Sequence, residues 1–82
     1  MNEEVVTREL GFSVSRRRRT AFLQEIQQVC VELGVGCEID ERRRLLSTSV
    51  HVLVRGSREA VDALRDYARV SGWSISSDGA VG

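Results

Sequence analysis

An α+β sandwich, with four antiparallel strands in spatial order 4-1-3-2 and two helices on one face, is what this 82-residue sequence predicts. Three observations carry that prediction. Apolar residues alternate at period two in some segments and recur at three- and four-residue spacing in two others. These segments follow one another as strand, helix, strand, strand, helix, strand, which divides the chain into two strand–helix–strand halves. Proline is absent, so no segment is interrupted by a missing backbone donor.

The first segment, Val5 to Ser15, reads as extended, with a short helix over Asn2 to Leu10 as the alternative for its start. Leu10, Phe12 and Val14 alternate with Gly11, Ser13 and Ser15, as on a half-buried strand. Thr20 to Leu33 reads as a helix, because Phe22, Ile26, Val29, Cys30 and Leu33 share one face, and Gly34 suits the left-handed residue that stops it. A second strand follows at Val35 to Asp40, with Val35, Cys37 and Ile39 on one side. The turn is expected at Glu41 to Arg44, and a third strand at Leu45 to Arg55. There Leu46, Thr48, Val50, Val52 and Val54 form one face and Leu45, Ser47, Ser49, His51 and Leu53 the other. Its β-branched content suits a central strand. Ser57 is a good N-cap for the second helix, Arg58 to Ser71, whose buried stripe is Ala60, Val61, Leu64 and Ala68. Glu59 near its start and Arg69 near its end complement the macrodipole. Gly72 ends it, Trp73 and Ile75 begin a short fourth strand, and Ser77 to Gly82 reads as a flexible tail.

Right-handed crossovers turn this order into the ferredoxin-like βαββαβ arrangement, as a single domain over residues 1–82. Within it, the helix Thr20–Leu33 with Gly34-Val35, then Val50-His51-Val52-Leu53-Val54-Arg55-Gly56-Ser57 and its helix, is similar in hydrophobic pattern to ACT-type regulatory modules. The resemblance implies the fold. Those modules bind amino acids at a glycine-containing turn between the first strand and helix; here that turn is Ser15 to Arg19, with no glycine.

A chain this short buries roughly 60–65% of its unfolded surface, so its stability is expected to be several kcal/mol. The longest apolar run falls far short of the ~20 residues that cross a bilayer. The acidic start, Met1-Asn2-Glu3-Glu4, is unlike a signal peptide, so a cytoplasmic protein is expected. Cys30 and Cys37, seven apart, make neither a CxxC motif nor a zinc set and read as buried free thiols. Neither a metal nor another cofactor is expected.

All basic charge is carried by arginine, the usage expected of a GC-rich genome such as that of an actinobacterium or its phage. Seven of the twelve arginines lie in two runs, Arg16-Arg17-Arg18-Arg19 and Arg42-Arg43-Arg44, on a chain of zero formal net charge. The proposed topology brings both runs to one end of the sheet, with Arg69 and the neighbouring Arg65 arriving from the second helix. Cations at the start of a helix oppose its macrodipole. Forked guanidiniums beside free N–H groups instead suit phosphate or carboxylate. Arg16, Arg17, Arg18, Arg19, Arg42, Arg43, Arg44 and Arg69 are therefore candidates for binding a nucleic acid or other polyanion, against the alternative of a solvated turn. Four-stranded sheets of this kind also serve as RNA platforms, but those stack bases on sheet-face aromatics, which the expected open face lacks. With a pI near 6.6, any nucleic-acid contact is expected through phosphates, without base readout.

The open face offers small residues with a few apolar ones. Ser13, Leu45, Ser47, Ser49, His51 and Leu53 are the candidate protein interface, for a homo-oligomer or a partner chain. His51, the only histidine, lacks a signposted carboxylate or oxyanion donor, so the chain is not expected to be an enzyme. The leading expectation is a small interaction or regulatory module acting through its open sheet face or an edge strand. Phosphate or nucleic-acid binding at the arginine end is the alternative.

Overall fold

The computed structural model describes residues 4–81. In it, β1 (Val5–Ser15), α1 (Arg19–Leu33), β2 (Gly36–Arg43), β3 (Ser47–Ser57), α2 (Arg58–Val70) and β4 (Ile75–Val81) follow in the expected order. The strands form one antiparallel sheet in the order β2-β3-β1-β4, the ferredoxin-like arrangement. β3 and β1 are the inner pair because each carries three fully apolar inward positions. Val50, Val52 and Val54 sit beside Leu10, Phe12 and Val14, and all six are buried.

Both helices lie on that inward face. Phe22, Ile26, Val29 and Cys30 of α1 and Val61, Leu64 and Ala68 of α2 complete the core. At one end the core is closed by aromatics. Trp73, just past α2, meets Phe22, Phe12 and Tyr67 edge-on or tilted, with ring centroids 5.0, 5.8 and 5.3 Å away. Edge-on contact sets the positive rim of one ring against the negative face of the next. Tyr67 then donates its hydroxyl to Glu25 at 2.7 Å, tying α2 to α1.

The two helix starts differ sharply. Ser57 caps α2 by accepting from the Ala60 N–H at 3.2 Å, and Glu59 sits in its first turn. α1 has no side-chain cap and no acidic residue in its first turn, where Arg18 takes the cap position. Gly34 ends α1 at φ 72°, a left-handed conformation that costs a β-carbon-free residue nothing.

Three expectations are corrected. β2 extends through Arg43 rather than stopping at Asp40, since Glu41, Arg42 and Arg43 pair with Val50, Ser49 and Thr48. β3 starts at Ser47, so Leu45 and Leu46 stand at the hairpin tip, 90% and 87% exposed, instead of on opposite sheet faces. The segment read as a tail is strand: β4 continues to Val81, paired with Thr7 to Phe12 of β1. Gly82 of that expected tail lies outside the described residues. Low hydrophobicity concealed the continuation of β4 beyond its start, yet an edge strand needs only backbone pairing and one covered side.

Candidate functional site

The uncovered side of the sheet is built by strict alternation. Register places Arg42, Ser49 and Ser13 in one row across β2, β3 and β1. Asp40, His51 and Gly11 form the next row, and Glu38, Leu53 and Glu9 the one after. Alternation along each strand puts these positions on the side away from the helices, opposite the core residues Leu10, Phe12, Val50, Val52 and Val54. Ser47 lies one row nearer the hairpin tip, opposite Ser15. Five of the six expected interface residues, Ser13, Ser47, Ser49, His51 and Leu53, thus share this face; Leu45 leaves it for the tip.

The face also carries a feature that sequence reasoning missed. Glu9, Glu38 and Asp40 gather around His51 and Leu53, and with Ile39 and Arg42 they line a shallow cleft of about 460 Å³. His51 Nδ1 lies 3.5 Å from Glu9 Oε1 and makes no hydrogen bond. Glu38 and Asp40 have no ion-pair partner among the described residues. The signal was present in the period-two continuation Glu9-Gly11-Ser13 and in Glu38-Asp40-Arg42. No group of three or more histidine, cysteine, aspartate or glutamate side chains among the described residues can hold a metal ion.

Gly11 sits where β4 approaches β1. A β-carbon there would lie 2.2 Å from Ser77 Oγ, at the point where the β1–β4 register shifts. Two β4 residues crowd one β1 position, as in a bulge.

The two arginine runs do meet at one end of the sheet. Ser15, which precedes Arg16, pairs with Ser47, whose carbonyl accepts from the Arg44 N–H at 2.8 Å. The side chains are not equivalent, however. Arg19 is taken up by Glu41 of β2 in a two-pronged contact, Nε to Oε1 at 2.7 Å and Nη2 to Oε2 at 2.8 Å. Arg69 is paired with Asp66 one turn earlier, at 2.7 Å. Arg65 bonds Asp78 at 2.9 Å and Arg8 bonds the other oxygen of that carboxylate. Arg58 holds Glu4 at 2.8 Å. Among the described residues that leaves seven exposed arginines without an ion pair: Arg16, Arg17, Arg18, Arg42, Arg43 and Arg44 toward this end, and Arg55, which lies on the open face one row beyond Leu53, opposite Gly36 and Thr7. Arg18 also borders a cleft of about 570 Å³ beside Phe22 and Trp73.

Two other polar groups are tuned by their surroundings. Burial, then the neighbouring Cys37, pushes the Cys30 thiol up to about 12. Burial raises Asp78, but the hydrogen bonds and charges of Arg8 and Arg65 outweigh it and hold the carboxyl below its ordinary value. Both groups stabilise the fold rather than present chemistry at the surface.

This geometry defines a small ferredoxin-like α+β domain with an acidic, leucine-floored sheet face and a basic end. No protein-family model matches the chain, and no curated protein is similar to it in sequence. Solved structures do share its fold. The de novo designed protein Foldit4 aligns over 96% of this chain and 98% of its own, with a TM-score of 0.76 at 17% identity. The 30S ribosomal protein S6 from Thermotoga maritima aligns over 98% and 89%, with a TM-score of 0.64 at 10% identity. The designed protein Ferredog-Diesel aligns over 96% and 87%, at 0.54 and 21%. Similarity at these identities concerns the fold alone. No helix among the described residues is long and apolar enough to cross a membrane.

Proposed function

We propose that this chain is a small, non-enzymatic binding module whose working surface is the open face of its sheet. The observation that carries this reading is the cleft over Leu53 and His51, walled by Glu9, Glu38 and Asp40. Three carboxylates, of which Glu38 and Asp40 have no ion-pair partner among the described residues, outnumber the single arginine of the cleft, Arg42, around an apolar floor and favour a ligand surface that brings both positive charge and apolar side chains. Serines at positions 13, 47 and 49 let a partner backbone come close. A role within an assembly is consistent with the presence of a 30S ribosomal protein among its structural neighbours.

Site-specific photo-cross-linking in cells tests the reading. A photoreactive residue at Ser49, on the open face, should capture a protein, whereas one at Glu32, on the outer surface of α1, should not. Equal capture from both positions, or none from Ser49, overturns it.

A second reading is favoured by the six arginines without ion pairs at the end of the sheet. Arg16–Arg18 surround the uncapped start of α1, where backbone N–H groups and the macrodipole both favour an anion. Phosphate contacts made there would be weak, salt-sensitive and indifferent to base sequence. Fluorescence anisotropy with single-stranded RNA and duplex DNA, at low and near-physiological salt, tests it; no binding even at low salt would exclude it.

A further inference from the structure

The cleft on the open face and the tip of the β2–β3 hairpin are complementary, and we infer that the occupant of the cleft is the hairpin tip of a second copy of this chain. The inference rests on reading the open face as the binding surface, and names its partner. The tip presents Arg43, Arg44, Leu45 and Leu46, with both leucines almost fully exposed and both arginines without an ion pair among the described residues. The cleft presents Glu9, Glu38 and Asp40 around the half-buried Leu53. Arg42 also borders the cleft, which stays net negative, so the two surfaces offer opposite net charge and each has apolar area that the other can cover. Two adjacent leucines held in water at a turn form the kind of compact anchor that a partner's pocket desolvates.

The tip cannot reach the cleft of its own chain. Both belong to the same antiparallel ribbon, and Glu38 pairs with Leu53 several rows back from the turn. At the rise of an extended strand, Leu45 lies roughly 20 Å from Glu38 along the ribbon. A second copy solves this reciprocally. If two sheets face each other about a two-fold axis midway between tip and cleft, each tip lies over the other cleft. The midpoint falls near Arg42 and Ser49, in the row that continues to Ser13. Ser49 of β3 and Ser13 of β1 therefore sit where the two sheets must approach most closely, with Arg42 of the edge strand β2 at the side of that row. This arrangement uses the same patch on both subunits and closes at a dimer.

Analytical ultracentrifugation of the full chain and its charge-swapped variants tests the inference. The wild-type protein should sediment as two 9.2 kDa chains, and its dimer should dissociate as salt is raised. Arg43→Glu with Arg44→Glu makes tip and cleft both acidic; Glu38→Arg with Asp40→Arg makes both basic. Each variant alone should raise the dimer Kd by roughly 100-fold or more, while circular dichroism and thermal melting show the fold retained. An equimolar mixture of the two should restore the dimer, because both contacts regain opposite charge. A monomeric wild type overturns the inference, as does a dimer that the mixture fails to restore. The Ser49 cross-link separates this failure from that of the parent reading. A product of twice the chain mass supports the second copy, whereas a product containing a different protein overturns it and leaves the binding face in place.

Discussion

Arg19 and Glu41 form a two-pronged ion pair that joins the first residue of α1 to β2, with contacts at 2.7 and 2.8 Å. The pair removes one member of the four-arginine run from the surface and gives it a structural task. Replacing Arg19 by Met should lower the urea midpoint and leave anion affinity unchanged. Arg17→Glu should do the opposite. Paired urea titrations and anisotropy measurements check the split; loss of anion affinity in Arg19→Met would place that side chain in the binding set.

Arg16, Arg17, Arg18, Arg42, Arg43 and Arg44, none with an ion pair among the described residues, set the electrostatics of this sheet end. Reversing Arg17 and Arg43 together should abolish binding of single-stranded RNA at low salt. The log of the wild-type affinity should fall linearly with log salt, with a slope reporting several phosphate contacts. A slope near zero would mean that whatever binds is not held through phosphates.

Gly56 faces Val35. A β-carbon at position 56 would lie 2.8 Å from Val35 Cγ1, inside the packed end of the core. Gly56→Ala should therefore destabilise the chain by about 1–3 kcal/mol. In a Val35→Ala background the same change should cost less, because the clashing methyl is gone. Chemical denaturation of the four species measures that coupling.

Asp78 fastens β4 by accepting from Arg8 and Arg65. The arginines hold its carboxyl below the ordinary value, so this contribution is complete above an unfolded value of about 3.9 and is lost as pH falls through the folded one. Asp78→Asn should lower stability at neutral pH by about 0.5–1 kcal/mol. It should also flatten the acid limb of the stability profile. Urea unfolding between neutral and acid pH reads both effects.

Cys30 is buried and its thiol is pushed up to about 12, whereas Cys37 is half-buried. At mildly alkaline pH a thiol-specific reagent should modify Cys37 first and Cys30 only after unfolding, as peptide mapping would show. The sign of the pH effect follows. The raised folded value stabilises the neutral thiol, a contribution intact below the unfolded value of about 8.5 and lost as pH climbs toward the folded one.

The core was legible because it obeys local periods. Leu10-Phe12-Val14 and Val50-Val52-Val54 alternate, and Phe22-Ile26-Val29-Cys30 repeat at helical spacing. Burial of one face enforces those patterns, so topology followed once the order of elements was known. The length of β4 was hidden because its pairing with β1 is made by backbone groups and its side chains are mostly small and polar. Ser13, Ser47, Ser49, His51 and Leu53 were legible as one sheet face because strand alternation fixes it, whereas Leu45 lies at the hairpin tip. The acidic walls around Leu53 went unread because Glu9 lies on a different strand from Glu38 and Asp40, far away in sequence.

By itself the sequence determined the elements, their order, the inward faces and the meeting of the two arginine runs, because period and chain direction dictate all four. Only the tertiary structure decided which charges are paired within the fold and which are not. Glu41 pairs with Arg19, and Asp78 is shared between Arg8 and Arg65, while Glu38 and Asp40 on the open face have no ion-pair partner among the described residues. The reason is geometric: an ion pair depends on distances of a few ångströms across strand register, and composition alone carries no such distance.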